Sequence, residues 1–162
     1  MDFVHILRDV DIFADLTMDQ LKKIVDISAV ATYNASEIIF KENTTSSELY
    51  VIMQGRVEIL IDPSILGTSE SEDAGLQTIA TLRAGESFGE VALVDQGLRS
   101  ASAACVQNDT RLLVIPQTEF NKLCRTDYEM GYVVMRNIAS DLSFKLRQTD
   151  IGLREKIVWG RN

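Results

Sequence analysis

A mainly β, α+β fold is predicted, a β-sandwich or barrel with helices before and after it. Two observations predict it. A helical apolar period occupies residues 1–27 and returns over 117–157, while short β-prone runs parted by turn residues fill 28–116. No helix-length pattern separates the β-runs, which excludes a doubly wound α/β sheet.

In the first part, Thr17 followed by Gln20 has capping-box spacing, and Leu16 and Leu21 take the staple positions around it. Met18, Leu21, Ile24 and Ile27 continue at helical steps, so a helix is expected from about Thr17 to Ile27. The β-runs are Glu37–Lys41, Glu48–Met53, Arg56–Ile61, Gln77–Leu82, Ala101–Val106 and Arg111–Ile115. Turn chemistry parts them at Asn34-Ala35-Ser36, Asn43 to Ser47, Gln54-Gly55 and Ala84-Gly85. After Pro116, the residues Tyr128, Tyr132, Met135, Ile138, Leu142, Leu146, Thr149 and Leu153 form one stripe. That stripe predicts an amphipathic helix of about 25 residues, near 40 Å long. It exceeds one barrel face, so part of it is expected to extend beyond the barrel or to pack on a second copy.

The 162 residues fit one domain with its own core, and 46% hydrophobic with 25% charged residues is the balance of a globular protein. The net charge is -8, with no basic cluster, which argues against direct DNA binding. There is no run of about 18 apolar residues and no basic-then-apolar leader, so neither a membrane span nor a signal peptide is expected. Cys105 and Cys124 are read as core thiols of a cytoplasmic protein. With His5 as the only histidine, a metal site is not expected, nor a catalytic Ser/His or Cys/His pair unless His5 itself is used. Asp62–Gly75 carries four acidic residues and no basic one. It reads as a long solvated hairpin loop, with a regulatory serine cluster as the sharper alternative.

The chemistry concentrates in Phe88 to Ala103, FGEVALVDQGLRSASA. Gly89 permits close backbone approach. Glu90 to Leu93 can make one helical turn whose first amides favour an anion. Arg99 supplies a planar fork for phosphate oxygens. Ser100 and the backbone near Ala101 add donors, and the small residues 100–103 leave room for a ligand. Glu90 would repel an adjacent anion. It fits only by accepting a ribose 2′-hydroxyl while Arg99 balances the charge, which would also select ribose over deoxyribose. The competing reading of the same residues is a turn-helix-strand with Glu90 and Arg99 as a surface ion pair.

At these residues the chain resembles the cyclic-nucleotide-binding family, whose cassette runs F-G-E-hydrophobic-A-L, then R-small-A. Here that is Phe88-Gly89-Glu90-Val91-Ala92-Leu93 and Arg99-Ser100-Ala101. The nine-residue step from Glu90 to Arg99 is similar to the kinase and channel branches. Glu37 to Phe40, Leu49 to Ile52 with Gly55 and Val57, and Leu82 with Gly85 resemble the barrel landmarks. The resemblance implies an antiparallel β jelly-roll barrel (a double-stranded β-helix), N-terminal helices and a long hinge-and-lid helix. It implies a cassette of Phe88, Gly89, Glu90, Val91, Ala92, Arg99, Ser100 and Ala101, and a base pocket of Ile59, Ile79 and Thr149. Those last three also read as plain core or helix-seam residues.

Leu98 departs from the proline that often precedes the arginine, and Asn43-Thr44 replaces the common Gly-Asp turn, expected to be a surface change. The DNA-reading helix-turn-helix of the cAMP receptor branch is not expected in these 162 residues. Ser100 after the arginine leans towards cAMP over cGMP by the same resemblance. The expected function is therefore a regulatory sensor that moves its last helix, through a homodimer seam or an unidentified protein partner. The alternatives are an interaction module that keeps the fold without nucleotide, and an enzyme on a cupin-like barrel, which the single histidine disfavours.

Overall fold

The computed structural model describes residues 3–63, 75–94 and 97–159, without the side chains of 148, 149 and 151–159. It opens with helix α1 (Phe3–Arg8), a 3-10 turn (Asp11–Phe13) and helix α2 (Met18–Asp26). Strands β1 (Ala29–Tyr33), β2 (Ile38–Phe40), β3 (Glu48–Gln54), β4 (Arg56–Ile61), β5 (Gln77–Arg83) and β6 (Ser87–Phe88) follow. A short turn of helix, α3 (Val91–Val94), leads to β7 (Ser102–Cys105) and β8 (Thr110–Pro116). Helices α4 (Gln117–Thr126) and α5 (Tyr128–Trp159) end the chain.

The local reasons match the sequence signals. Thr17 accepts from the Gln20 amide while the Gln20 side chain accepts from the Thr17 amide, so the expected capping box starts α2. Gly55 makes the β3–β4 hairpin at φ 98°, where a Cβ would sit 2.4 Å from the Thr110 hydroxyl. The turn demands glycine for its backbone angle and for space alike.

The strands form two antiparallel four-stranded sheets, β1-β8-β3-β6 and β2-β7-β4-β5. Eight strands divided this way are the jelly roll that was expected. Two strands were not anticipated. β1 has an exposed, weakly alternating pattern, and β6 is two residues long. Tyr50, Ile52, Val57, Phe88, Ala103, Cys105 and Leu112 fill the space between the sheets. A second core lies under the helices, where Leu49, Val51, Met53, Leu113 and Ile115 meet Leu7, Phe13, Leu21, Phe120, Met130 and Ile138. The loop 62–75 lies, apart from its ends, outside the described residues.

Helix α5 is longer than expected, at 32 residues or about 48 Å. Its buried row follows the predicted stripe only in part: Ile138, with Met135 and Leu142 beside it, packs on the core as placed, while Met130 and Val134 were not on the stripe. Met130, Val134 and Ile138 are fully buried, with Leu142 packed at the margin. Tyr128 and Tyr132, placed on the apolar stripe by the sequence, are 79% and 67% exposed, and Leu146 is exposed too. Two apolar rows lead along the start of this helix, and periodicity alone does not say which one meets the barrel. Gly131 decides it locally, since its bare Cα lies against Cys124 of α4, where a Cβ would come within 3.0 Å.

Candidate ligand site

Between β4, β5, the 88–101 segment and α5 lies a cavity of about 400 Å³. Its lining includes Phe88, Gly89, Glu90, Val91, Ala92, Arg99, Ser100 and Ala101, so the whole predicted cassette converges on one hollow. Ile59 and Ile79 line it as well. Ile59 packs on the inter-sheet core, whereas Ile79 is 57% exposed and belongs to the cavity wall, not to the core. Thr149 lies on α5, but its side chain is outside the described residues.

Arg99 and Glu90 are each only 7% exposed. A surface ion pair between them, the competing sequence reading, is thereby overturned. Each has another partner. Arg99 Nη2 donates to the Glu48 carbonyl at 2.7 Å, Nη1 to the Gly89 carbonyl at 3.3 Å and Nε to Ser46 Oγ at 2.5 Å. The Glu48 carboxylate stands 3.8 Å away. The guanidinium lies over the Phe40 ring at 4.2 Å, within cation–π range. Burial pulls the Arg99 pKa below its ordinary value, against Tyr50, Glu48 and Glu90, which raise it. Arginine remains charged across the whole working range. Neighbouring Tyr50 is pushed up to about 12, by burial first and the Glu48 charge second.

The main chain at Arg99 is equally fixed. Asn43 N donates to the Arg99 carbonyl at 2.8 Å, and Arg99 N donates to the Thr44 carbonyl at 3.0 Å. Asn43 holds φ 61°, a left-handed angle that asparagine tolerates better than most side chains. The expectation that Asn43-Thr44 lies at the surface holds, and the structure adds a contact to it. The turn is exposed, yet its backbone grips the arginine.

Gly89 also has a more specific role than expected. At φ 79°, a Cβ there would lie 2.7 Å from Arg99 Nη1 and 3.1 Å from the Glu48 carbonyl. The close approach it permits is that of the guanidinium. In α3, the amides of Ala92 and Leu93 already donate to the Gly89 and Glu90 carbonyls, which narrows the anion-facing amides expected of this turn.

Glu90 Oε1 accepts from Lys145 Nζ of α5 at 2.8 Å. Lys145, Phe40, Ser46 and Glu48 are site residues that the sequence reading missed. Phe40 stood among the barrel landmarks without a role. Lys145 lay on a helix whose rotation the sequence left open, so nothing marked it.

A second hollow of about 620 Å³ adjoins the first and shares Leu82, Ser87 and Lys145 with it. Asp9, Asp11, Glu86 and Asp141 line it, a poor setting for a phosphate. Among the described residues no cluster of metal-ligating side chains occurs, and no helix is long and apolar enough to cross a membrane.

The family model described as "Cyclic nucleotide-binding domain" matches residues 30–127. The chain is 32% identical over 141 residues to cGMP-dependent protein kinase 2 of Mus musculus, covering 84% of this chain and 18% of the kinase. It is 34% identical over 121 residues to the cyclic AMP receptor protein of Thermus thermophilus, covering 75% of this chain and 50% of that protein. Among solved structures, the Thermus thermophilus catabolite activator protein superposes with a TM-score of 0.74 at 28% identity, over 89% of this chain and 62% of that one. The chain thus spans half or less of the length of these two curated relatives.

Proposed function

The chain belongs to the cyclic nucleotide-binding domain family, and from that premise we propose that it is a regulatory sensor of a 3′,5′-cyclic purine nucleotide, with cAMP the expected ligand. The carrying observation is the pair Glu90 and Arg99, both buried and both lining the same 400 Å³ cavity. A buried carboxylate and a buried guanidinium at one cavity wall suit a ligand with hydroxyls at one end and an anion at the other. Arg99 takes the cyclic phosphate, Glu90 accepts the ribose 2′-hydroxyl, and Ile59 and Ile79 flank the base, with Thr149 as a base contact from α5. The output is a movement of α5 that changes a homodimer seam or the surface offered to another protein. The whole chain, 1–162, acts as one ligand-binding unit of N-terminal helices, barrel and C-terminal helices, a binding module with no catalytic step. The free thiols Cys105 and Cys124 suit a cytoplasmic setting.

The choice of cAMP rests on Ser100 following Arg99. Ser100, exposed and lining the cavity, together with the likeness to a cGMP-dependent kinase, makes cGMP the second ligand to test.

Calorimetry with cAMP and cGMP tests the assignment. Arg99→Ala is expected to weaken binding by about 3–5 kcal/mol, the cost of removing one partner from a buried ion pair. That is roughly a hundred- to a few thousand-fold in affinity. Wild-type binding by Arg99→Ala overturns the phosphate role, and no heat from either nucleotide with the wild type favours a module that keeps the fold without the ligand.

A further inference from the structure

The second hollow, of about 620 Å³, takes its walls from distant parts of the chain. Residues between Ile6 and Ile12 form one, the turn between β5 and β6 another, and Asp141 with Lys145 of α5 a third. These walls are held in place. Gly85 N donates to the Ile52 carbonyl and Ile52 N to the Glu86 carbonyl, both at 2.9 Å, which ties the turn to β3. The Asn137 side-chain amide donates to the Ile12 and Ala14 carbonyls, which ties α5 to the 3-10 turn. The hollow is a built feature of the surface, of the size of ligand clefts.

Its lining has two chemistries. Ile6, Val10, Ile12 and Leu82 contribute apolar surface. Asp9, Asp11, Glu86 and Asp141 bring four carboxylates against one ammonium, that of Lys145. Lys145 is already paired with Asp141 at 2.7 Å and with Glu90 at 2.8 Å. Asp9, Asp11 and Glu86 are exposed. Among the described residues, the ion-pair partners of Asp9 and Glu86 are Arg8 at 3.5 Å and Arg83 at 3.9 Å. Exposed pairs of that length contribute little and give way to a better-placed cation. The charge therefore calls for a cation, and the apolar lining for a hydrocarbon beside it. A metal ion or a polyamine answers only the first demand. A peptide with an aliphatic side chain between arginines or lysines answers both.

We propose that this hollow docks a basic segment of a partner protein. An aliphatic anchor enters it, and flanking Arg or Lys side chains pair with Asp9, Asp11 and Glu86. Leu82, Ser87 and Lys145 line both hollows, so the docking site and the ligand cavity share a wall. Docking and nucleotide binding are thereby linked, each changing the affinity for the other by the same factor. The linkage alone rests on the nucleotide reading above; the docking does not.

Fluorescence anisotropy of the full chain with a labelled Arg-Leu-Arg-Arg-Leu-Arg peptide, at physiological ionic strength, tests the site. Asp9→Asn, Asp11→Asn and Glu86→Gln together are expected to weaken binding about tenfold, the scale of three exposed ion pairs. The same charge change at Asp19→Asn, Glu119→Gln and Glu129→Gln, none of which lines the hollow, should alter it less than about twofold because salt screens distant charges. A peptide with serine in place of each leucine should bind the wild type at least about fivefold more weakly. That arm needs no variant, and an unfolding temperature near that of wild type verifies that the two triple variants are folded. Equal losses from the two triple variants mean a general attraction to a chain of net charge -8 and overturn the site. Equal binding of the serine peptide overturns the aliphatic anchor. Spermidine that displaces the leucine peptide at equal concentration overturns the protein partner. Saturating cAMP or cGMP is expected to shift the peptide affinity about fivefold or more, and no shift overturns the linkage. A wild type that binds neither nucleotide overturns the nucleotide reading and the linkage with it, while the peptide arms decide the docking.

Discussion

At position 99 the guanidinium donates to Ser46, Gly89 and Glu48 and lies over Phe40, while the backbone is tied to Asn43 and Thr44. Such a side chain is pre-organised, so little ordering cost remains to be met on binding. Asn43 contributes through its backbone angle, which a β-branched residue resists. Asn43→Val is expected to lower stability by about 1–2 kcal/mol, the cost of a left-handed angle in an L-residue, and to weaken nucleotide binding with it. Asn43→Gly should change stability by only a few tenths of that. Urea denaturation compares the two directly. The sequence identified Arg99 through its spacing from Glu90, but not Asn43, whose importance lies in a φ angle and two main-chain hydrogen bonds.

Among the elements, α5 separates what periodicity reveals from what it hides. Its existence and its start at Tyr128 were legible, its rotation was not. By spacing, either 128 and 132 or 130 and 134 can lead into the shared positions 135, 138 and 142. Only the barrel and α4 choose between them. Ile138→Ala is therefore expected to cost about 2–5 kcal/mol. Tyr132→Ala should stay within about 0.5 kcal/mol of wild type in the monomeric protein. Thermal or chemical denaturation of the pair distinguishes the buried face from the exposed one. A large loss at Tyr132 would mean that this face is covered in solution. Strands β1 and β6 escaped the sequence for a different reason. One lies at the edge of its sheet and the other is too short to show an alternation.

Across the whole molecule, Asp127 ties the two helical regions together. It accepts from the Met130 amide at the start of α5, from Gln20 Nε2 and from Lys23 Nζ at 3.0 Å. The Met130 hydrogen bond foremost, then Lys23, holds its pKa below the ordinary aspartate value. A carboxyl depressed in the folded state adds stability that is present above its unfolded pKa, about 3.9, and lost as pH falls through the lower folded one. Asp127→Asn is expected to flatten the acid side of a stability-against-pH profile below about pH 5, read by denaturant titration at several pH values. The capping-box residue Gln20 was legible as a helix start; its second bond, 107 positions along the chain, was not. The cassette itself was legible because its parts are close in sequence. The residues that complete it come from β2, the turn before β3, β3 and α5, and only folding brings them there.

Strand β3 divides its side chains between the two cores. Leu49, Val51 and Met53 face the helices, while Tyr50 and Ile52 face the space between the sheets. Five successive buried positions on one strand leave no side free to absorb a change in volume. Such a strand is expected to have little freedom to drift. A substitution in it is tolerated when the volume is kept or when a partner in one of two separate neighbourhoods changes with it. The exposed strand β5 answers to no such double condition. On the proposed nucleotide reading, ligand preference would diversify through Ile79 and its neighbours on β5, while β3 preserves the frame in which Arg99 is held.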